Sequence, residues 1–187
     1  MPARAVSSLI LCTGEGAHSA ATDVASLQTS PSWPTIARAD WSRGRHGDLE
    51  LEPGIGLAAF LSAHLGDHAA PHSPLVTTLV NILNADRWRA AGHTPSLVLG
   101  HSIGEVAAAC MTGLLSHDEA LRTAHVLGQA GATLAGAMLH VRWSRDELEA
   151  WTDDELRVAA INGAASADGL LSVTLCGPAE RVDAWIG

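Results

Sequence analysis

The stretch at 97–110, LVLGHSIGEVAAAC, sets Ser102 between Gly100 and Gly104, with a short apolar run before it and a run of small residues after it. A serine at the centre of Gly-x-Ser-x-Gly can accept an acyl group when a sharp strand-to-helix turn lifts its hydroxyl clear of a sheet. Such a turn crowds the positions two before and two after the serine, and glycine at both relieves the crowding. The segment that follows reads as a helix starting at Ser102. Its free N–H groups and positive dipole end would face an oxyanion forming at the serine. Ala107, Ala108 and Ala109 would let that helix pack close to the sheet. The pentapeptide alone can arise by chance in a chain with 18 glycines. The apolar strand before it and the helix after it give it weight.

Other constellations are weaker. His64 and His68 lie four apart in HLGDH, a spacing that can hold a metal, but Pro71 ends the helix before His72 and no third ligand is convincing. A solvated helix face is the better reading. The glycines of GEGAHS (14–19) suggest a phosphate loop, yet no Gly-Lys-Ser/Thr follows and the chain has no lysine, which removes a Walker loop. RDELE and DDELR read as ordinary charged helix surface. The tryptophans at 33, 41, 88, 143, 151 and 185 are scattered and suit packing better than base stacking.

Bulk properties narrow the classes further. The 187 residues fit one domain, or one with a small insertion, and 47% hydrophobic content marks a globular chain. A formal charge of −9 repels a phosphate backbone, so nucleic acid is not expected as a partner. The run Leu9–Cys12 is too short for a signal-peptide core, and no stretch is long enough to span a membrane. Three widely spaced cysteines, Cys12, Cys110 and Cys176, form no metal or redox pattern, which suits a reducing cytoplasm.

The elements that must position Ser102 follow from periodicity. SSLILCTG (7–14) reads as a buried strand ending in a glycine-rich turn. Residues 28–56 read as irregular connection with one helical turn, and 55–70 as a helix running to Pro71. The segment 73–92 is a strong helix, with Ser73 as its cap, Pro74 at its first position, and Leu75, Leu79, Ile82 and Leu83 on its apolar face. PSLVLG is a second buried strand. Ser116 and Glu119 form a capping box for another helix. The alternation gives an α/β fold with a parallel sheet over residues 1–135. From 136 to 187 the order is β-α-β-β-α, a ferredoxin-like unit without its last strand.

The segment VLGHSIGEVAAACMTGLLSHDEAL resembles the Gly-His-Ser-x-Gly-Glu region of the malonyl-CoA:carrier-protein transacylase family, and within it the acyltransferase domains of type I polyketide synthases. GEGAHS sits where that family has a Gly-Gln-Gly-Ser-Gln loop, and RVAAINGAASADGLLSVTLCGPAERVDAW resembles its small-subdomain hairpin. The resemblance covers essentially the whole chain, as the N-terminal portion of such a domain, with a partial α/β-hydrolase-like large subdomain. It implies transfer of an acyl group from coenzyme A, through a Ser102 ester, to the phosphopantetheine thiol of an acyl carrier protein, in polyketide or fatty-acid synthesis. No cofactor of the protein's own is implied. The backbone N–H groups of Ile103 and Glu15 would form the oxyanion hole, and His101 would line the acyl pocket.

Three departures qualify that implication. Glu15 replaces a glutamine, and an ionised carboxylate beside a forming oxyanion would oppose the reaction. Leu127 stands 25 residues after Ser102, where the family has the arginine that binds a malonyl carboxylate, and no arginine occurs from Thr123 to Val141. A neutral acyl group is therefore expected, because a buried carboxylate without its partner costs several kcal/mol. Beyond His117, the only downstream imidazoles are His125 and His140, and neither is expected to be the base that serine needs. The chain is therefore expected to be a fragment of a longer polypeptide. The alternatives are a remnant that only binds a carrier protein, or an esterase or thioesterase using the same elbow.

Overall fold

The computed structural model describes residues 8–15, 17–38, 55–68, 71–163 and 165–186. The expectation of irregular connection across 39–54 lies outside them, as does Trp41. The chain divides into two compact units, Met1–Ala132 and Thr133–Gly187, so the boundary falls three residues before the expected 135/136.

The first unit is built on two parallel strands, β1 (Leu9–Cys12) and β2 (Leu97–Gly100), paired Leu9 to Leu97 through Cys12 to Gly100. Side chains alternate across a strand. Ile10, Cys12 and Val98 therefore face the core, while Leu9, Leu11, Leu97 and Leu99 form an exposed apolar face. The short helices α1 (Val24–Leu27) and α2 (Trp33–Arg38) contribute Leu27 and Ile36 to the core. Helix α3 (Leu57–His64) buries Leu57, Phe60 and Leu61. It ends six residues earlier than expected, since the break is made by a turn in which Gly66 has φ +86°, ahead of Pro71.

Helix α4 (Ser73–Ala90) is the core's largest contributor, with Leu75, Leu79, Ile82 and Leu83 all buried. Its expected cap is corrected: His72 occupies the cap position with no side-chain capping bond to the helix, and Ser73 is the first helical residue and buried. Helix α5 (Gly104–Met111) follows β2, and α6 (His117–Ala132) follows α5. The Ser116–Glu119 box forms as expected, with Glu119 accepting the Ser116 N–H at 2.8 Å and Ser116 Oγ accepting the Glu119 N–H at 3.2 Å.

The second unit is an antiparallel sheet in the order β3 (Ala137–Trp143), β5 (Leu171–Gly177), β4 (Arg157–Ile161), with α7 (Arg145–Ala150) and α8 (Ala179–Ile186). Val141, Trp143, Leu171, Val173 and Leu175 form its core. Three tryptophans that look scattered in the sequence meet here: the ring of Trp143 lies 4.8 Å from that of Trp151 and 6.3 Å from that of Trp185. A second capping box, Ser144 with Glu147, starts α7. Arg181 ties α8 to Asp153 at 2.9 Å, and backbone N–H groups of Leu156 and Glu155 on the Asp153 carboxylate lower its pKa.

Leu79 is fully buried at the centre of α4, so Leu79→Ala leaves a cavity in the first unit. Urea denaturation followed by helical circular dichroism is expected to show a loss of about 2–5 kcal/mol.

Candidate active site

The elbow begins where β2 ends. The His101 N–H donates to the Cys12 carbonyl at 3.1 Å, which carries the strand pairing one residue past Gly100. The chain then reverses direction. Ser102 has φ +54°, the only positive φ among the described non-glycine residues. A serine in that region carries about 1–3 kcal/mol of backbone strain and persists only where its surroundings dictate it. The surroundings do so through close packing. A Cβ on Gly100 would overlap the backbone of Gly104 and Glu105, and one on Gly104 would overlap the Cys12 carbonyl and stand 2.6 Å from that of Thr13. Only hydrogen fits at either position.

The helix starts at Gly104, two residues later than expected, because the strained serine is excluded from it. Gly104 and Glu105 N–H groups are engaged by the carbonyls of His101 and Ser102, both at 2.9 Å. The N–H of Ile103, the cap residue ahead of α5, makes no hydrogen bond among the described residues. Ser102 is exposed and the Ile103 side chain is buried, so the hydroxyl projects outward on an anchored turn.

The glycine loop after β1 lies directly against this turn. A Cβ on Gly14 would stand 2.9 Å from His101 Nδ1 and 3.3 Å from Ser102 Cβ. Glu15, next along, is exposed and makes no hydrogen bond or ion pair among the described residues. Asn81 of α4 fixes the start of the loop: its Oδ1 accepts the Thr13 N–H at 3.2 Å and its Nδ2 donates to the Thr13 carbonyl at 3.0 Å. Sequence reasoning missed Asn81. Its one signal was a carboxamide interrupting the apolar run between Val80 and Ile82.

In the first unit none of the remaining candidates hydrogen-bonds Ser102 among the described residues. His101 is exposed with its ring over Gly14. His125 is buried on the inward face of α6 among Leu121, Ala124 and Gly128, while Leu127 on the same helix is 49% exposed. His117 opens α6, and His140 is an exposed residue of β3 in the second unit. Among the described residues no imidazole hydrogen-bonds the Ser102 hydroxyl.

His64 and His68 do not pair with each other. The His64 ring lies 4.2 Å from that of His72, and the His68 ring 4.7 Å from that of His18. No group of three potential metal ligands occurs among the described residues. Burial pushes the thiol of Cys12 up, and burial with the charge of Asp86 pushes Cys110 up to about 11, so both stay protonated at neutral pH and are poor nucleophiles. A cavity of about 420 Å³ adjoins the glycine loop through Thr13, Ala17 and His18, but Ser102 is not in its wall. No described helix is long and apolar enough to cross a membrane.

The turn thus combines a strained serine between strand and helix, a glycine loop beside it and an unengaged N–H at the next residue. The chain belongs to the acyltransferase-domain family, whose model matches residues 12–187. It is 40% identical over 104 residues to polyketide synthase GfsA of Streptomyces halstedii, covering 53% of this chain and 1% of that protein. It is 39% identical over 104 residues to erythronolide synthase EryA2 of Saccharopolyspora erythraea, covering 53% of this chain and 3% of that protein. The fold is similar to the acyltransferase domain from the second module of the salinomycin polyketide synthase, with TM-score 0.63, 25% identity, and 98% of this chain and 42% of that one covered. It is also similar to a loading acyltransferase from the avermectin modular polyketide synthase, with TM-score 0.58, 30% identity, and 95% and 56% covered. The chain thus spans a small part of the synthases it matches and about half of the solved acyltransferase chains it resembles.

Gly104→Ala and Gly113→Ala separate close packing from backbone conformation. Gly113 has φ +80° and open space around it, so alanine there is expected to cost about 1 kcal/mol. Alanine at Gly104 meets the β1 carbonyls and is expected to cost about 1–3 kcal/mol or more. Denaturation midpoints of the two variants give the order.

Proposed function

We propose that Ser102 is the nucleophile of an acyl transfer from coenzyme A to a carrier-protein phosphopantetheine thiol in polyketide synthesis. The observation that carries the reading is the positive φ of Ser102, held beside the unengaged Ile103 N–H in a chain of the acyltransferase-domain family. In the first half-reaction Ser102 Oγ attacks the thioester carbonyl, the C–S bond breaks, and the coenzyme A thiol leaves with a proton. In the second, the carrier thiol attacks the seryl ester and the serine hydroxyl is restored. The N–H groups of Ile103 and Glu15 are assigned to the oxyanion and His101 to the wall of the acyl site.

The same reading treats the first unit as part of a hydrolase-like subdomain and the second as a ferredoxin-like one lacking a strand. It assigns the proton acceptor to none of the described histidines, since no described imidazole bonds Ser102. A reducing cytoplasm suits the free cysteines, and the partners are an acyl-CoA, a carrier protein and further synthase domains.

Leu127 in place of a carboxylate-binding arginine favours a neutral acyl group over malonyl. With acetyl-CoA and malonyl-CoA in competition, intact-mass analysis is expected to find the acetyl adduct in excess and none on Ser102→Ala. A malonyl excess would refute the substrate assignment. An adduct that survives in Ser102→Ala would refute the nucleophile, and no adduct at all would favour a remnant that only binds a carrier protein.

Removing the Glu15 carboxylate removes a negative charge next to the developing oxyanion. Glu15→Gln is expected to acylate a few-fold faster, about 1 kcal/mol of barrier or less given the exposure of the side chain. Stopped time points in the same mass assay measure the rate, and an unchanged rate would show that the carboxylate turns away.

A further inference from the structure

The glycine loop is fixed at its start by Asn81, and at its far end by a histidine that the acyl-transfer chemistry does not use. His18 is only 4% exposed. Its Nδ1 accepts the N–H of Gly66 at 3.1 Å, and its Nε2 lies 3.5 Å from Ser73 Oγ at the start of α4. Because Nδ1 accepts, the neutral ring carries its proton on Nε2, facing the serine hydroxyl. The loop is pressed onto the same turn by its next residues: a Cβ on Gly66 would stand 2.8 Å from both the Cβ and the N of Ala20. Between the Asn81 and His18 attachments lies Gly14, where an added Cβ would crowd His101 and Ser102.

We propose that His18 is a positioning residue: by accepting the Gly66 amide, its neutral imidazole holds the Gly14–Glu15 segment against the Ser102 elbow, and its protonation slackens that segment and slows acylation. The inference rests on the acyl-transfer reading for what the segment does. Protonation would place a hydrogen on Nδ1 pointing at the Gly66 N–H, so two donors would meet where one bond had been. The groups facing His18 are His68 and Asp67 on the turn after α3 and the Ser73 hydroxyl on α4. Burial, followed by the proximity of His68, holds its pKa below the ordinary 6.5, with Asp67 opposing. The fold favours the neutral ring. The stabilisation is therefore complete above 6.5 and is lost as pH falls from there through the lowered native value.

The test follows the backbone amides of Gly66, Gly14 and Glu15 in the ¹⁵N-labelled chain from about pH 8 to about pH 5, across the range where histidine titrates. The acyl-CoA labelling rate of Ser102 is measured alongside in wild type, His18→Gln and His18→Leu. In wild type the three amides and the rate are expected to share one midpoint below 6.5. Glutamine can accept the Gly66 N–H but does not titrate. H18Q is therefore expected to keep the wild-type rate measured above the midpoint within about twofold and lose the shared step, while H18L is slower than that rate by about tenfold and shows no step. The His101 ring lies against Gly14, so the difference between wild type and H18Q assigns the step to His18.

Gly14 and Glu15 amides that stay fixed while Gly66 titrates overturn the proposal, as does an unchanged step in H18Q. If H18L fails to fold, the H18Q profile decides. Absence of labelling in every variant counts against acyl transfer, and the shared amide midpoint still decides the positioning.

Discussion

The first unit depends on how closely two stretches of backbone approach: the carbonyls of Cys12 and Thr13 at the end of β1, and Gly104 at the start of α5. That approach leaves no room for a side chain on Gly104 or Gly100. The turn between β2 and α5 is correspondingly tight, and Ser102 takes a left-handed conformation that serine ordinarily avoids. Strain at one residue is sustained by packing around it. The β1–β2 pairing, the His101–Cys12 bond and the buried Ile103 side chain together oppose its release. The outcome is an exposed hydroxyl on an otherwise anchored turn.

The glycine loop extends the same constraint. It follows β1 directly, so wherever β1 is pinned the loop must pass by the elbow, and a Cβ on Gly14 would stand 3.3 Å from that of Ser102. Helix α4 provides the loop's footing. Its apolar face fills the core, while Asn81 and Ser73 on the same helix meet Thr13 and His18. One helix thus supplies both the burial that stabilises the unit and the polar contacts that orient the loop. The exposed leucines of β1 and β2 show that this sheet covers only one of its faces with the described helices.

Much of this was legible in the sequence because it is local. The two glycines flanking Ser102, the apolar spacing of Leu75, Leu79, Ile82 and Leu83, and the Ser116–Glu119 box all act over a few residues and read directly from spacing. The errors were at boundaries set by backbone conformation. Ser102 is kept out of α5 by its positive φ, α3 stops at the Gly66 turn, and Ser73 enters α4 behind His72. What the sequence could not show is long-range pairing. The tryptophans that meet around Trp143, the grip of Asn81 on Thr13 and the burial of His18 beneath Gly66 each join residues far apart in the chain. Nothing in the local pattern of any one of them names its partner.

The central claim, that packing presents Ser102 as an acyl acceptor, is tested most directly with an activated acetyl ester, whose good leaving group reduces the need for general-base help. Tandem mass spectrometry of the digested protein locates the acetyl group. Labelling confined to the peptide containing Ser102, and lost when Gly104→Ala disturbs the turn, is the expected result. Labelling spread over other serines and histidines, with Ser102 no more reactive than they are, would contradict it.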